Sequence, residues 1–189
     1  MQLKLSTVFL ALVSAAVAAP SASVNVTDKV DGLKERAALA CGNPAHATPL
    51  YRSFSGGSQD HFYTANLVEH TNAFLNLGYT NEGIAGLIFP SQEEQTVPLF
   101  RLYQGGIADH FYTTSVSEKN NARDNLGYTD EGIAGFVYTD TACGGQAFYR
   151  LWNSGWNDHF YTMSFEEREN AAVNLGFARE GVVGYIFPA

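Results

Sequence analysis

Three copies of one pentapeptide carry the residue types from which chemistry could be built: Asp60-His61-Phe62-Tyr63-Thr64, Asp109-His110-Phe111-Tyr112-Thr113 and Asp158-His159-Phe160-Tyr161-Thr162, each 49 residues after the last. An acid beside an imidazole could form a dyad in which the carboxylate orients a general base. Three imidazoles could instead converge on a zinc ion with the carboxylates behind them. Adjacent residues of a strand point to opposite faces, however, so Asp60 is badly placed to orient its own neighbour His61. No Ser or Cys nucleophile recurs beside the pair. The first reading is therefore structural, with Asp capping a turn and His hydrogen-bonded at a strand start. A binding role comes second and catalysis third. No catalytic residue, metal ligand or cofactor is expected.

The same 49-residue step carries Arg52 to Arg101 to Arg150 and Glu82 to Glu131 to Glu180. Each Arg lies in an otherwise apolar strand, where an unpaired charge is costly. Each Glu comes just before another strand, which predicts one Arg–Glu bridge per copy, a pair that speaks for packing specificity more than for net stability. A second candidate is Trp156, beside Asn157 and Asp158. An indole next to amide and carboxylate acceptors offers an apolar face and hydroxyl partners, the combination a sugar requires. The candidate ligand-binding residues are thus Asp60, His61, Asp109, His110, Trp156, Asn157, Asp158 and His159.

The elements that must position these residues recur with the same period, which marks a repeat architecture. An apolar strand (Leu50 to Phe54 in the first copy) leads through a glycine-rich turn into the Asp-His strand. A helix follows, opened by Asn66, Ser115 or Ser164 with Glu69, Glu118 or Glu167 three residues on, and stopped by Gly78, Gly127 or Gly176. A last strand contains Gly86, Gly135 or Gly184, whose missing side chain predicts close backbone approach. The fold class expected is α+β: three β-β-α-β repeats (49–97, 98–146, 147–189) packed as one pseudo-threefold domain over 41–189, with a β-trefoil-like arrangement as the alternative. A single 49-residue copy is too small to bury a core alone.

Ahead of the repeats, the apolar run from Leu5 and the small residues at Ala16-Val17-Ala18 read as a secretory signal peptide over 1–18. Residues 19–40 read as a disordered leader or pro-segment carrying the one glycosylation sequon, at Asn25. Eleven Lys and Arg stand against 19 Asp and Glu, for a net charge of −8. That balance disfavours nucleic acid and anionic membrane surfaces as partners. The two cysteines, Cys41 and Cys143, predict a disulfide in an exported chain.

Pro-Leu-Tyr-Arg at 49–52, Asp-His-Phe-Tyr-Thr at 60–64 and Gly-Tyr-Thr-Asn-Glu-Gly-Ile-Ala-Gly at 78–86 resemble a family of secreted three-unit repeat domains. The family occurs in fungi and bacteria, alone or appended to exported hydrolases, and its function is unsettled. The resemblance runs from about Pro49 to Phe187. It implies an accessory, lectin-like role in attachment to glycans or cell walls. The third copy departs most, with Phe177-Ala178-Arg179-Glu180 in place of Tyr-Thr-Asp-Glu. The expectation is a secreted, non-catalytic module that binds carbohydrate or a cell-wall polymer. The alternatives are a structural or effector protein acting through protein contacts and, last, a hydrolase.

Overall fold

In the computed structural model, which describes residues 41–189, strands dominate. The signal peptide, the leader and the Asn25 sequon lie outside the described residues. After a 3-10 turn at Pro44–His46 come β1 (Thr48–Ser55), β2 (Asp60–Thr64), α1 (Leu67–Asn76) and β3 (Thr80–Ile88). The order recurs as β4 (Thr96–Gln104), β5 (Asp109–Thr113), α2 (Val116–Asn125) and β6 (Thr129–Tyr138), then β7 (Gln146–Asn153), β8 (Asp158–Thr162), α3 (Phe165–Asn174) and β9 (Ala178–Ile186).

The α+β assignment drawn from the sequence is corrected. The described residues are 47% strand and 22% helix, a β-rich fold. The strands form two unequal sheets, β2-β1-β3 and β5-β4-β6-β9-β7-β8, and not three like ones. The physical reason is that β6 and β9 pair at Tyr138 and Tyr185, which fuses the second and third stretches into one six-stranded sheet. The backbone of β3 pairs with that sheet only by an isolated bridge, Leu87 with Phe187, and a second follows just past the strand, Phe89 with Phe136. The helices contribute little to the core: α2 and α3 each bury one alanine, and α1 buries Ala73 and His70. Three such helices beside nine strands also differ from an all-strand trefoil.

Local chemistry explains each element. The hairpin tips place Gln59, Ala108 and Asn157 in the left-handed region, at φ 60°, 56° and 56°. Asn tolerates that region best of the three. Asn66 Oδ1 accepts from the Val68 and Glu69 amides, and Ser115 and Ser164 accept from Glu118 and Glu167. These are N-caps. Gly135 sits where a side chain could not: a Cβ there would lie 2.3 Å from Ile88 Cδ1 and 2.9 Å from the Phe89 carbonyl oxygen.

The short Asp-His strands β2, β5 and β8 are buried along their whole length. Each pairs with one neighbour and turns its other edge toward the remaining two. Their tyrosines connect them. Tyr63 Oη donates to the Tyr161 carbonyl (2.7 Å) and accepts from the Tyr161 amide (2.9 Å). Tyr112 Oη serves Tyr63 in the same way (2.7 and 2.8 Å), and Tyr161 Oη serves Tyr112 (2.9 and 2.8 Å). The rings meet edge to face, with centroids 5.4–5.5 Å apart. Around them lie Leu50, Leu99, Phe148, Ile88, Val137 and Ile186. Unpaired edges are thereby covered and their polar groups satisfied.

Cys41 and Cys143 form a disulfide that closes a loop of 102 residues. It pins the chain ahead of β1 to the connection between β6 and β7.

Two outcomes are expected from equilibrium urea unfolding. Tyr112→Phe leaves the Tyr63 amide and carbonyl without partners and should cost roughly 2–4 kcal/mol; a loss under about 0.5 kcal/mol would show that water or a shifted neighbour replaces the hydroxyl. Replacing both cysteines by serine should cost about 4 kcal/mol, as constraint of so long a loop implies.

Candidate functional site

Adjacent Asp and His do not form a dyad. The pair forms across the strand junctions. His110 Nδ1 lies 2.7 Å from Asp60 Oδ2, His159 Nδ1 2.7 Å from Asp109 Oδ2, and His61 Nδ1 2.7 Å from Asp158 Oδ2. The other oxygen of each Asp accepts from the backbone amide of the same His at 2.9 Å. A carboxylate at Nδ1 fixes that nitrogen as the donor and turns Nε2 outward. Tyr79 and Tyr128 add a hydroxyl donor to Asp60 and Asp109 at 2.5 Å. Phe177 stands in the corresponding place beside Asp158 and cannot donate.

The three aspartates have no exposed surface. Their listing among ligand contacts is therefore corrected: no ligand can reach them, and they orient the histidines. Their carboxylate oxygens, not the imidazoles, are what converge, within 4.8 Å of one another. Like charges so close would repel, and each is answered by an imidazole N–H and an amide N–H. The histidines splay to three separate junctions, as a shared zinc site would not allow.

Each junction is an open cleft. Arg101 Nη1 and Nη2 reach across to Glu69 at 2.9 Å each, Arg150 grips Glu118 at 2.9 and 3.0 Å, and Arg52 grips Glu167 at 3.0 and 2.9 Å. These forks are the bidentate geometry a guanidinium favours. Within each stretch Nε also lies close to a carboxylate: Arg52 to Glu82 at 2.9 Å, Arg101 to Glu131 at 2.8 Å and Arg150 to Glu180 at 2.9 Å. No Nε–H is aimed along that contact, so this leg is ionic and not a directed hydrogen bond. The guanidinium carbons lie over Phe160, Phe62 and Phe111 of the neighbouring stretch, 5.2–5.4 Å from the ring centres. Nε2 of His61, His110 and His159 approaches the same Glu82, Glu131 and Glu180 at 3.7–3.8 Å.

Glu69, Glu118 and Glu167 are the residues whose site role the sequence reading missed, because it assigned them to helix caps alone. In a capping box each would reach back to the N-cap amide. That amide is taken instead by Thr64, Thr113 and Thr162, whose hydroxyls donate onward to the three glutamates. The freed face of each carboxylate holds the arginine. Burial opposes charge on Arg101, yet its surroundings, the Glu69 carboxylate first among them and Glu131 with it, raise its pKa above the ordinary guanidinium value. The hydrogen bonds from Arg150 hold the Glu118 carboxyl below its usual range. Glu69 and Glu167 are also held low, as their arginine and threonine donors overcome the upward push of burial. These carboxylates are ionised acceptors at neutral pH.

The clefts are lined alike, by the Phe, Glu, Asn, Ala and Leu of one stretch and the Arg, His and Glu of the next. Their volumes are about 210, 210 and 270 Å³, the largest at the junction of the third stretch with the first. Trp156, 37% exposed, lines that one. Asn157 does not line it, and its role in the structure is the left-handed turn at the hairpin tip.

Residues 49–187, about three quarters of the chain, match a domain of unknown function, DUF5648. The chain belongs to the DUF5648 family. Neither the curated proteins nor the solved structures give a match to this DUF5648 chain. Its clefts must therefore be interpreted from their own chemistry. Among the described residues, no helix is long and apolar enough to cross a membrane.

The glutamates fix a pH dependence. Their folded pKa values lie below the ordinary 4.5, so their contribution is fully present above that value and is lost as pH falls through the lower, folded-state values. Thermal unfolding of the wild type should be flat in this contribution above about pH 5.5 and fall steeply below about pH 4.5. In Glu118→Gln the fall should be shallower; an identical slope would show that the arginine forks do not set acid stability.

Proposed function

We propose that this protein is an exported, non-catalytic module that binds carbohydrate or a cell-wall polymer through its junction clefts. One observation carries the reading: every cleft sets aromatic walls beside fixed, ionised carboxylates and an oriented imidazole. Flat apolar surface with convergent polar groups is what a sugar ring recognises. Three clefts on one chain would let weak individual contacts sum on a repetitive polymer. A disulfide fits an oxidising compartment outside the cell. Where such a domain is appended to an exported hydrolase, it would hold the enzyme at its substrate.

A second reading has its own observation. Leu67, Val68 and Leu75 of α1 are 57%, 78% and 67% exposed, more apolar surface than the other two helices offer at those positions. Contact with a protein partner through α1 would explain them.

Pull-down of the folded protein on chitin, β-glucan and peptidoglycan, with a glycan array beside it, separates the two. Retention on at least one polymer, competed by its soluble fragments, is expected. A folded sample that binds no polymer and no arrayed glycan, while Leu67→Ser with Val68→Ser abolishes capture of a protein partner, would favour the second reading.

A further inference from the structure

The clefts differ in one respect that bears on the ligand. At two junctions the aromatic rings form an open row of four. Tyr103, His110, Phe62 and Tyr79 follow one another with centroids 4.5, 4.9 and 5.9 Å apart. Trp152, His159, Phe111 and Tyr128 do the same at 4.4, 4.7 and 5.9 Å. At the third junction the row is Phe54, His61, Phe160 and Phe177, at 4.5, 4.7 and 5.8 Å. Trp156 then closes it into a ring of five, 5.6 Å from Phe177 and 6.5 Å from Phe54. Ser58 and Ile107 occupy the place of Trp156 elsewhere, 98 and 49 residues earlier.

Resting on the carbohydrate reading, we infer that the cleft closed by Trp156 is the principal ligand site and that it takes a neutral, gluco-configured pyranose residue. A pyranose whose hydroxyls are all equatorial presents two flat C–H faces, suited to the exposed indole of Trp156 with the half-buried Phe54 beside it. Phe160 and Phe177 back the cleft from within the core. Its hydroxyls then project in the ring plane, toward the carboxylates of Glu82 and Glu167. Those two carboxylates outnumber the single guanidinium of Arg52, so the cleft has no spare positive charge for an anionic sugar. An axial hydroxyl would lift one face of the sugar from the indole.

The test is isothermal titration with cellohexaose and chitohexaose, with mannohexaose and oligogalacturonate as counter-probes. The wild type should bind one gluco-configured oligomer per chain and neither counter-probe with comparable strength. Trp156→Ala should weaken binding about tenfold or more. Ile107→Trp combined with Tyr128→Phe should install a second site and raise the stoichiometry from one to two. If that double variant fails to fold, the Trp156→Ala titration, read with quenching of tryptophan fluorescence, decides. Three equal sites, an unaffected Trp156→Ala variant, or preference for a counter-probe would each overturn this inference and leave the broader carbohydrate reading standing. A folded wild type that binds no glycan of any kind would remove both.

Discussion

Three tyrosine hydroxyls hold the centre of the molecule together. Strands β2, β5 and β8 each have a sheet partner on one side only, and their other edges face one another at a distance that allows no backbone ladder. A buried amide or carbonyl without a partner is expensive, and a row of them would not survive in a core. The hydroxyls of Tyr63, Tyr112 and Tyr161 answer this by donating to a carbonyl and accepting from an amide of the same neighbouring residue, in closed succession. Phenylalanine would fill the space and satisfy neither group. The buried aspartates depend on the same approach of strands, since each finds its histidine only across a junction.

The clefts are a by-product of that closure. Bringing one Asp-His strand against the next sets the arginine of one stretch over the phenylalanine of its neighbour and within reach of the neighbour's helix-start glutamate. Each functional group is thus held from two sides: the imidazole by a buried carboxylate, the guanidinium by two glutamates and a ring. Such groups lose little freedom when a ligand arrives, which is what makes weak polar contacts useful in binding.

The sequence exposed the elements and hid the partners. Strand, turn, cap and stop were readable because each rests on nearby residues: the Gly-Gly tip, Asn66 and Ser115 as caps, Gly78 and Gly127 as stops. The Cys41–Cys143 pair was readable from the count alone. The class was not, because a ten-residue helix that buries little more than an alanine looks in sequence like one that builds a core. Nor could a 49-residue period say whether sheets stay separate or merge through one pairing at Tyr138 and Tyr185. The pairing of Asp60 with His110, and of Glu69 with Arg101, joins residues that the period places in different copies. A hint lay in stoichiometry: every copy carries two periodic glutamates for one arginine, so a second acceptor was waiting for use. The assignment of the aspartates to ligand contact failed for a plain reason, since sequence does not reveal that a polar residue is wholly enclosed.

Thr48 pairs with Ile88 at the end of β3, and Leu87, next to it, pairs with Phe187. The chain therefore comes into the domain and goes out of it at one pole. Phe54 and the hairpin tip with Trp156 beside it lie toward the opposite end of β1, about 20 Å from Thr48 for a strand of this length. The indole-lined mouth of the cleft thus opens at the end of the domain away from the start of β1.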